Sequence, residues 1–373
     1  MKQFRYLILL TITILLAGCS NVTSLNLEPY KEENKKEEYN ASVFTVGDVL
    51  LHMPVIRDGY TSSGYNFTPM FSYVKDIVAD YDLAFYNQES PMGGSSLGYS
   101  GYPRFNCPDA IGQNMIDLGF NLVSLTNNHT LDTGVTGASY YANYWAKKDS
   151  VLAVGSHTSW DERNKVVIKE KNGITYTLLA YTTVTNGTSV PSEKNYLRNV
   201  YSEAQVRKDV AKVRDKVDVV MVSMHWGTEN VNEPTWEQQQ QAKFLASLGV
   251  DVVIGHHSHT VQPITFIGDT LVIYSLGNFI SNQKDVSVNN NVGLMVGFNI
   301  KKEVENGESS ISITDVKGDL FWVDSQSHTN YRVVPFNKVT TSMLYNKDSV
   351  YAKYSAVINK YKNDAIKVGH FEW

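Results

Sequence analysis

The sequence predicts a mixed α/β fold, a β-sandwich flanked by helices. Three observations carry this expectation. Apolar strand-like runs alternate with helical patterns through the first half of the chain, which implies parallel strands. Hairpin signals at Asn172-Gly173 and Gly268-Asp269 break that rhythm and add antiparallel strands. Polar clusters rich in Asp, Glu, Asn and His follow the apolar runs, and the crevice at strand carboxyl ends is where such folds hold ligands.

The elements follow in order. Lys2 and Arg5 precede an apolar run over residues 6–16, shorter than a bilayer span, so residues 1–19 read as an export signal. Leu16-Ala17-Gly18-Cys19 resembles a lipoprotein cleavage box in which Cys19 is lipidated and becomes the first mature residue. A diacylated terminus would anchor the protein on the extracytoplasmic face of the cell membrane. Residues 20–41 are expected to form a disordered tether, because residues 31–38 are nearly all charged. Folding is expected from residue 42, with strands at 43–46 and 83–86 and a helix at 71–80 between them. Residues 109–118 read as a helix closed by Gly119, followed by a strand at 122–125, a helix at 135–148 and a strand at 152–154. Residues 165–168 and 176–179 read as the arms of the first hairpin. Ser202 suits the N-cap of a helix over 202–214. A strand at 218–224 leads to a long helix over 233–248, with Pro234 near its first turn. A strand at 250–254, the second hairpin, and strands at 293–300 and 309–316 complete one domain over 42–337. Residues 338–373 read as a C-terminal helix and tail packed on that domain.

Composition narrows the function classes. A net charge of −5 without a basic stripe excludes nucleic acid as a partner. Once the signal is removed, Cys107 is the only thiol besides the lipidated Cys19, so no intrachain disulfide forms. Cys107 has no histidine near it in sequence and reads as structural.

The chemistry lies in the clusters that end the strands. Of nine histidines, three fall in Gly255-His256-His257-Ser258-His259. Side chains two apart in an extended stretch point the same way, which pairs His257 with His259 and leaves His256 as support. The other clusters are Gly47-Asp48 with His52 beyond, Asn87-Gln88-Glu89, Thr126-Asn127-Asn128-His129 with Asp132 beyond, and His225-Trp226-Gly227 with Glu229 beyond. A weaker one is Ser275-Leu276-Gly277-Asn278-Phe279. Asp, Glu, Asn and His without cysteine suit divalent metals such as Mn, Zn or Fe.

In this order the clusters resemble those of the calcineurin-like metallophosphoesterases. More narrowly, they resemble the CapA/PgsA family of poly-γ-glutamate capsule synthesis proteins, to which Phe105-Asn106-Cys107-Pro108 also fits. The resemblance spans roughly residues 42–282. It implies a four-layer α/β/β/α sandwich with mixed parallel and antiparallel sheets. It also implies two divalent metal ions held by Asp48, Glu89, Asn128, His225, His257 and His259, with Glu89 as the bridging acid. His129 matches the catalytic histidine. Asp132 either orients it or caps the following helix. The usual histidine two residues after the first aspartate is absent, and His52 either replaces it or lines the substrate pocket. His256, Asn278 and Arg104 are expected to support the site or touch substrate. The implied function is poly-γ-glutamate synthesis, transfer or export, beside membrane-embedded capsule synthase components. Phosphoester hydrolysis by a lipoprotein metallophosphoesterase, and non-catalytic binding of an anionic polymer, are the competing functions.

Overall fold

The computed structural model describes residues 36–283 and 288–371. The export signal, Cys19 and residues 20–35 of the expected tether lie outside the described residues. No helix among the described residues is long and apolar enough to cross a membrane.

Strand β1 (Lys36–Val49) begins before residue 42, so the tether's last residues belong to the fold. Its charged start pairs antiparallel with the strand over Val292–Glu305. There Lys36 meets Glu303 at 2.6 Å and Glu38 meets Lys301 at 3.1 Å. A charge run that looks unfoldable in isolation becomes a strand once a neighbour supplies opposite charges diagonally across the ladder.

Besides a small hairpin of Tyr60–Thr61 with Gly64–Tyr65, the remaining strands, all in two large sheets, are β2 (Leu83–Gln88), β3 (Leu122–Ser124), β4 (Leu152–Val154), β5 (Lys169–Lys171), β6 (Ile174–Thr182), β7 (Val219–His225) and β8 (Val252–His256). Then come β9 (Ile264–Ile267), β10 (Thr270–Ile273), β11 (Asn278–Ile280), β12 (Val292–Glu305), β13 (Glu308–Gln326), β14 (Thr329–Pro335) and β15 (Ile366–Val368). One sheet runs β14-β13-β12-β1-β2-β3-β4, with β11 also beside β1 and β15 beside β13. The other runs β9-β10-β8-β7-β6-β5. Strands β1 to β4 are mutually parallel, as are β6, β7, β8 and β10, and hairpin strands add antiparallel edges.

Alternation along each strand builds the layers. Val43 and Phe85 of the first sheet share one core with Met221 and Ile254 of the second. Phe44 and Tyr86 face the other way, into a core with Ile111 and Met115 of a helix over Ala110–Asp117 and Tyr141 of a helix over Gly134–Trp145. Val220 and Val253 face Val206 and Leu245, on helices over Glu203–Val213 and Trp236–Ser247. Helix, sheet, sheet and helix therefore stack as four layers.

Local signals land with some shifts. Ser202 caps its helix by accepting from Gln205 N at 3.2 Å. The long helix starts at Trp236 and not near residue 233, because Thr235 makes a reciprocal capping box with Gln238 and leaves Pro234 outside. Residues 71–80 are not one helix; a 3₁₀ turn over Thr68–Phe71 precedes a short helix over Lys75–Ala79. The first hairpin turns at Asn172-Gly173, yet its outer arm is Lys169–Lys171 and not 165–168, because pairing radiates from the turn. The C-terminal segment forms a helix over Lys347–Ile358, whose Val350, Tyr354 and Ile358 join the inter-sheet core, and then β15.

Candidate metal centre

The carboxyl ends of both sheets meet at one crevice. Strand β1 delivers Asp48, beside Asn87 of β2 and Asn278 of β11. Glu89 follows β2 directly, and Asn128 and His129 sit in the turn after β3. Strands β7 and β8 end side by side at His225 and His256. Two glycines permit these approaches. A Cβ on Gly47 would lie 1.8 Å from the Gly277 carbonyl oxygen, where Asp48 N donates to that same oxygen at 2.9 Å. A Cβ on Gly255 would lie 2.0 Å from the Tyr274 carbonyl oxygen.

His257 and His259 are brought together by a route other than an extended strand. Strand β8 ends at His256, and the backbone turns through φ of 97° at His257 and 55° at His259. Both lie in the left-handed region, which a non-glycine residue occupies at a cost of roughly 1–3 kcal/mol and which clusters at functional sites.

Asp48, Glu89 and His259 offer ligand atoms within 4.8 Å of one another, and so do Glu89, His225 and His257. Glu89 belongs to both groups. Two further groups with the same reach are Asp48, His225 and His256, and Glu229, His257 and His259. Asn128 Oδ1 lies 2.8 Å from His225 Nε2. His256 stands behind His225, with their Nδ1 atoms 2.7 Å apart and its Nε2 2.6 Å from Ser223 Oγ.

The site is buried and charged. Asp48 accepts from Asn87 Nδ2 at 2.8 Å and His257 N at 3.3 Å. Burial pushes its pKa up, but a hydrogen bond from His259 and the charges of His256 and His259 hold it below the ordinary value. Glu89 is pushed well above the ordinary value by burial and by the charge of Asp48. Neither Glu89 oxygen has a hydrogen-bond partner, nor does His257 Nδ1. Burial lowers His256 to about 4 and His257 to about 3, and it carries His225 well below its ordinary value, so all three are neutral imidazoles near neutral pH. That is the form that ligates metals. His259 is the exception. Burial opposes its charge, but Glu89 and Asp48 raise it to about 9.

Around this core, His129 Nδ1 lies 2.7 Å from Asp132 Oδ2. A carboxylate only accepts, so the shared proton sits on Nδ1 and Nε2 is left to the crevice. Asp132 spends the same oxygen on Phe105 N at 2.8 Å, and the following helix has no side-chain cap. Asn278 Oδ1 meets His259 Nδ1 at 3.0 Å. His52 is in none of the donor groups; its Nδ1 lies 3.2 Å from Asn282 N and 3.3 Å from Leu50 O. Burial lowers His52 to about 4. Arg104 is exposed and does not line this cavity. Cys107 is buried, and its Sγ donates to Ser90 O at 3.2 Å.

A cavity of about 870 Å³ opens over the cluster, lined by His52, His129 and His259 together with Arg57, Glu229 and His328. Of the last three, Arg57 and His328 do not stand out as site residues in the sequence. Arg57 rides on a short helix over Met53–Asp58 that the sequence pattern does not announce. His328 sits in the turn between β13 and β14, its Nδ1 2.6 Å from Asn282 Oδ1. Glu229 does carry a signal, its place just after His225.

Comparison with known proteins adds family context. A family model described as "Bacterial capsule synthesis protein PGA_cap" matches residues 42–283. The chain is 28% identical over 201 residues to the PGA biosynthesis protein CapA of Bacillus subtilis (strain 168), covering 54% of this chain and 51% of that protein. It is 27% identical over 171 residues to the capsule biosynthesis protein CapA of Bacillus anthracis, covering 45% of this chain and 41% of that one. The chain thus spans about half the length of these curated relatives. Among solved structures, TT1561 of Thermus thermophilus aligns at a TM-score of 0.38 and 8% identity, covering 73% of this chain and 98% of that one. The purple acid phosphatase PPD1 of yellow lupin seeds aligns at 0.30 and 9%, covering 74% and 53%.

Proposed function

The chain belongs to the family of bacterial capsule synthesis proteins, PGA_cap, and from that premise we propose that it is a metal-dependent lipoprotein acting on poly-γ-glutamate at the extracytoplasmic face of the membrane. The observation that carries this reading is Glu89. Both its oxygens are buried without a hydrogen-bond partner, facing His225 Nε2 at 3.6 Å and His259 Nδ1 at 3.7 Å, and the acid is shared by two donor groups. A buried carboxylate without hydrogen bonds costs several kcal/mol, and divalent cations seated among these donors would offset that cost.

The residues fit two divalent ions. Asp48, Glu89 and His259 would hold one, and Glu89, Asn128, His225 and His257 the other. Their mixture of carboxylate, amide and imidazole suits Mn, Zn or Fe. When bound, such ions supply Lewis-acid polarisation of a carbonyl or phosphoryl oxygen. The chain's own residues supply the remainder. Asp132 fixes one proton on His129 Nδ1, so Nε2 is the atom that would pass a proton to the departing nitrogen as water adds to the carbonyl carbon of a γ-glutamyl amide, the C–N bond breaks and the water's proton returns to Nε2. His52 lines the cavity where substrate would sit. Asn278 holds the ring of His259. A lipid on Cys19 would keep the crevice beside membrane-embedded capsule synthase components.

Metal analysis of the purified full chain tests the reading. Bound divalent metal that is lost in the His257→Ala, His259→Ala double variant is the expected result. A chain that takes up no metal even after reconstitution ends it. The His129–Asp132 pair favours a second reading, because it would serve a departing phosphoester oxygen equally well. Incubation with γ-linked polyglutamate and with an aryl phosphoester separates the two. Metal bound with neither bond cleaved assigns the crevice to gripping the polymer.

A further inference from the structure

We propose that the crevice is the middle of a longer track that holds a linear polyanion on both sides of the reacting position, with the C-terminal helix as one wall. This rests on the reading of the crevice as a polyanion site and extends it: the track takes internal stretches of a chain and not only its ends.

Three depressions join edge to edge. The cavity over the metal ligands shares Asn230 with a groove of about 590 Å³, and the far side of that groove is built by Lys353, Val357 and Lys360. Through a different wall residue, Phe105, the cavity adjoins a depression of about 410 Å³ that carries Arg104. Asn230 is a fixed sill. Its backbone N–H donates to Ser258 O at 2.7 Å, and its Oδ1 accepts from Asn290 Nδ2 at 2.6 Å.

Each depression presents a cation. Arg104, Arg57 and Lys353 are exposed, and none forms an ion pair among the described residues. Lys353 is held over the Tyr354 ring at 4.8 Å. Two of the carboxylates along the route are engaged, Glu233 with Lys360 and Asp132 with His129, and exposed Glu229 lies beside His257 and His259. On a chain of net charge −5, this line of free cations runs against the overall balance. A γ-linked polyglutamate carries one carboxylate per repeat and would meet the cations in succession. Each contact is weak alone, and several on one chain act together. The wall with Lys353 and Lys360 lies beyond residues 42–283, so the C-terminal helix adds a surface outside the family match.

Fluorescence anisotropy on the metal-loaded full chain in detergent tests this, using labelled γ-linked glutamate oligomers of about three and about twelve residues. Lys353→Glu and Arg104→Glu are each expected to weaken binding of the long oligomer roughly threefold to tenfold, and to leave the short one unchanged. The short oligomer and the bound metal report that each variant is folded. Long-oligomer binding that both charge reversals leave intact overturns the track and spares the reading of the crevice. A wild-type chain that binds neither oligomer overturns both.

Discussion

Two buried charge clusters in this molecule are built from similar residues and end differently. On the outer face of the second sheet, Asp209 receives Arg163 Nη2 at 2.6 Å, Tyr181 OH at 2.9 Å and Gln205 Nε2 at 2.9 Å. Burial raises its pKa, but Arg163 and Gln205 outweigh it and hold Asp209 below the ordinary value. At the crevice, Glu89 is more deeply buried, accepts no hydrogen bond, and is pushed well above its ordinary value. A buried acid whose partners come from its own chain is part of the structure. One left without hydrogen bonds has room for a ligand from outside.

The largest effect should separate the clusters by their response to metal. Saturating divalent metal is expected to stabilise the wild type by about 3–4 kcal/mol over chelated protein, read as a rise in Tm. Glu89→Gln should abolish that rise without lowering the Tm of the chelated protein. A Tm loss in chelated Glu89→Gln would mean that Glu89 is already satisfied. Asp209→Ala should instead cost about 3 kcal/mol with or without chelator, because it strands Arg163. The sign of its pH dependence follows from the depressed pKa. The stabilisation is complete above the ordinary value of 3.8 and is lost as pH falls through the folded-state value. Acid unfolding of wild type and Asp209→Asn should therefore converge at low pH, and parallel curves would count against the pairing.

Smaller effects sharpen the boundary of the site. Asp132→Asn should lower turnover roughly ten- to a hundredfold while bound metal stays constant, as for a residue that orients another. Metal loss in that variant would move Asp132 into the ligand set. The smallest change is expected from Thr235→Ala, which removes a capping box on the outer helix and should cost about 1 kcal/mol by denaturant titration, with metal content unaffected.

Much of this is legible before folding. Strand-end clusters flag both sheets, and the cap at Ser202 obeys local hydrogen-bond rules. Legibility fails where a distant partner decides the outcome. Residues 36–41 read as tether because their counter-charges on β12 are far away in sequence. Extended spacing pairs His257 with His259 on paper, yet two left-handed residues that turn the chain are what join them. Arg57 and His328 carry no pattern of their own and become cavity residues only through the elements that hold them.

Alone, the sequence determined which donors exist, that each follows an apolar strand, and that the fold alternates strands with helices. These are properties of neighbours along the chain, governed by side-chain period and capping. Only the tertiary structure decided that Glu89 is shared between two donor groups, that His256 backs His225, and that the C-terminal helix walls a groove next to the crevice. Those outcomes depend on strand register and sheet packing between residues far apart in sequence, where a shift of one residue would turn each donor to the opposite face.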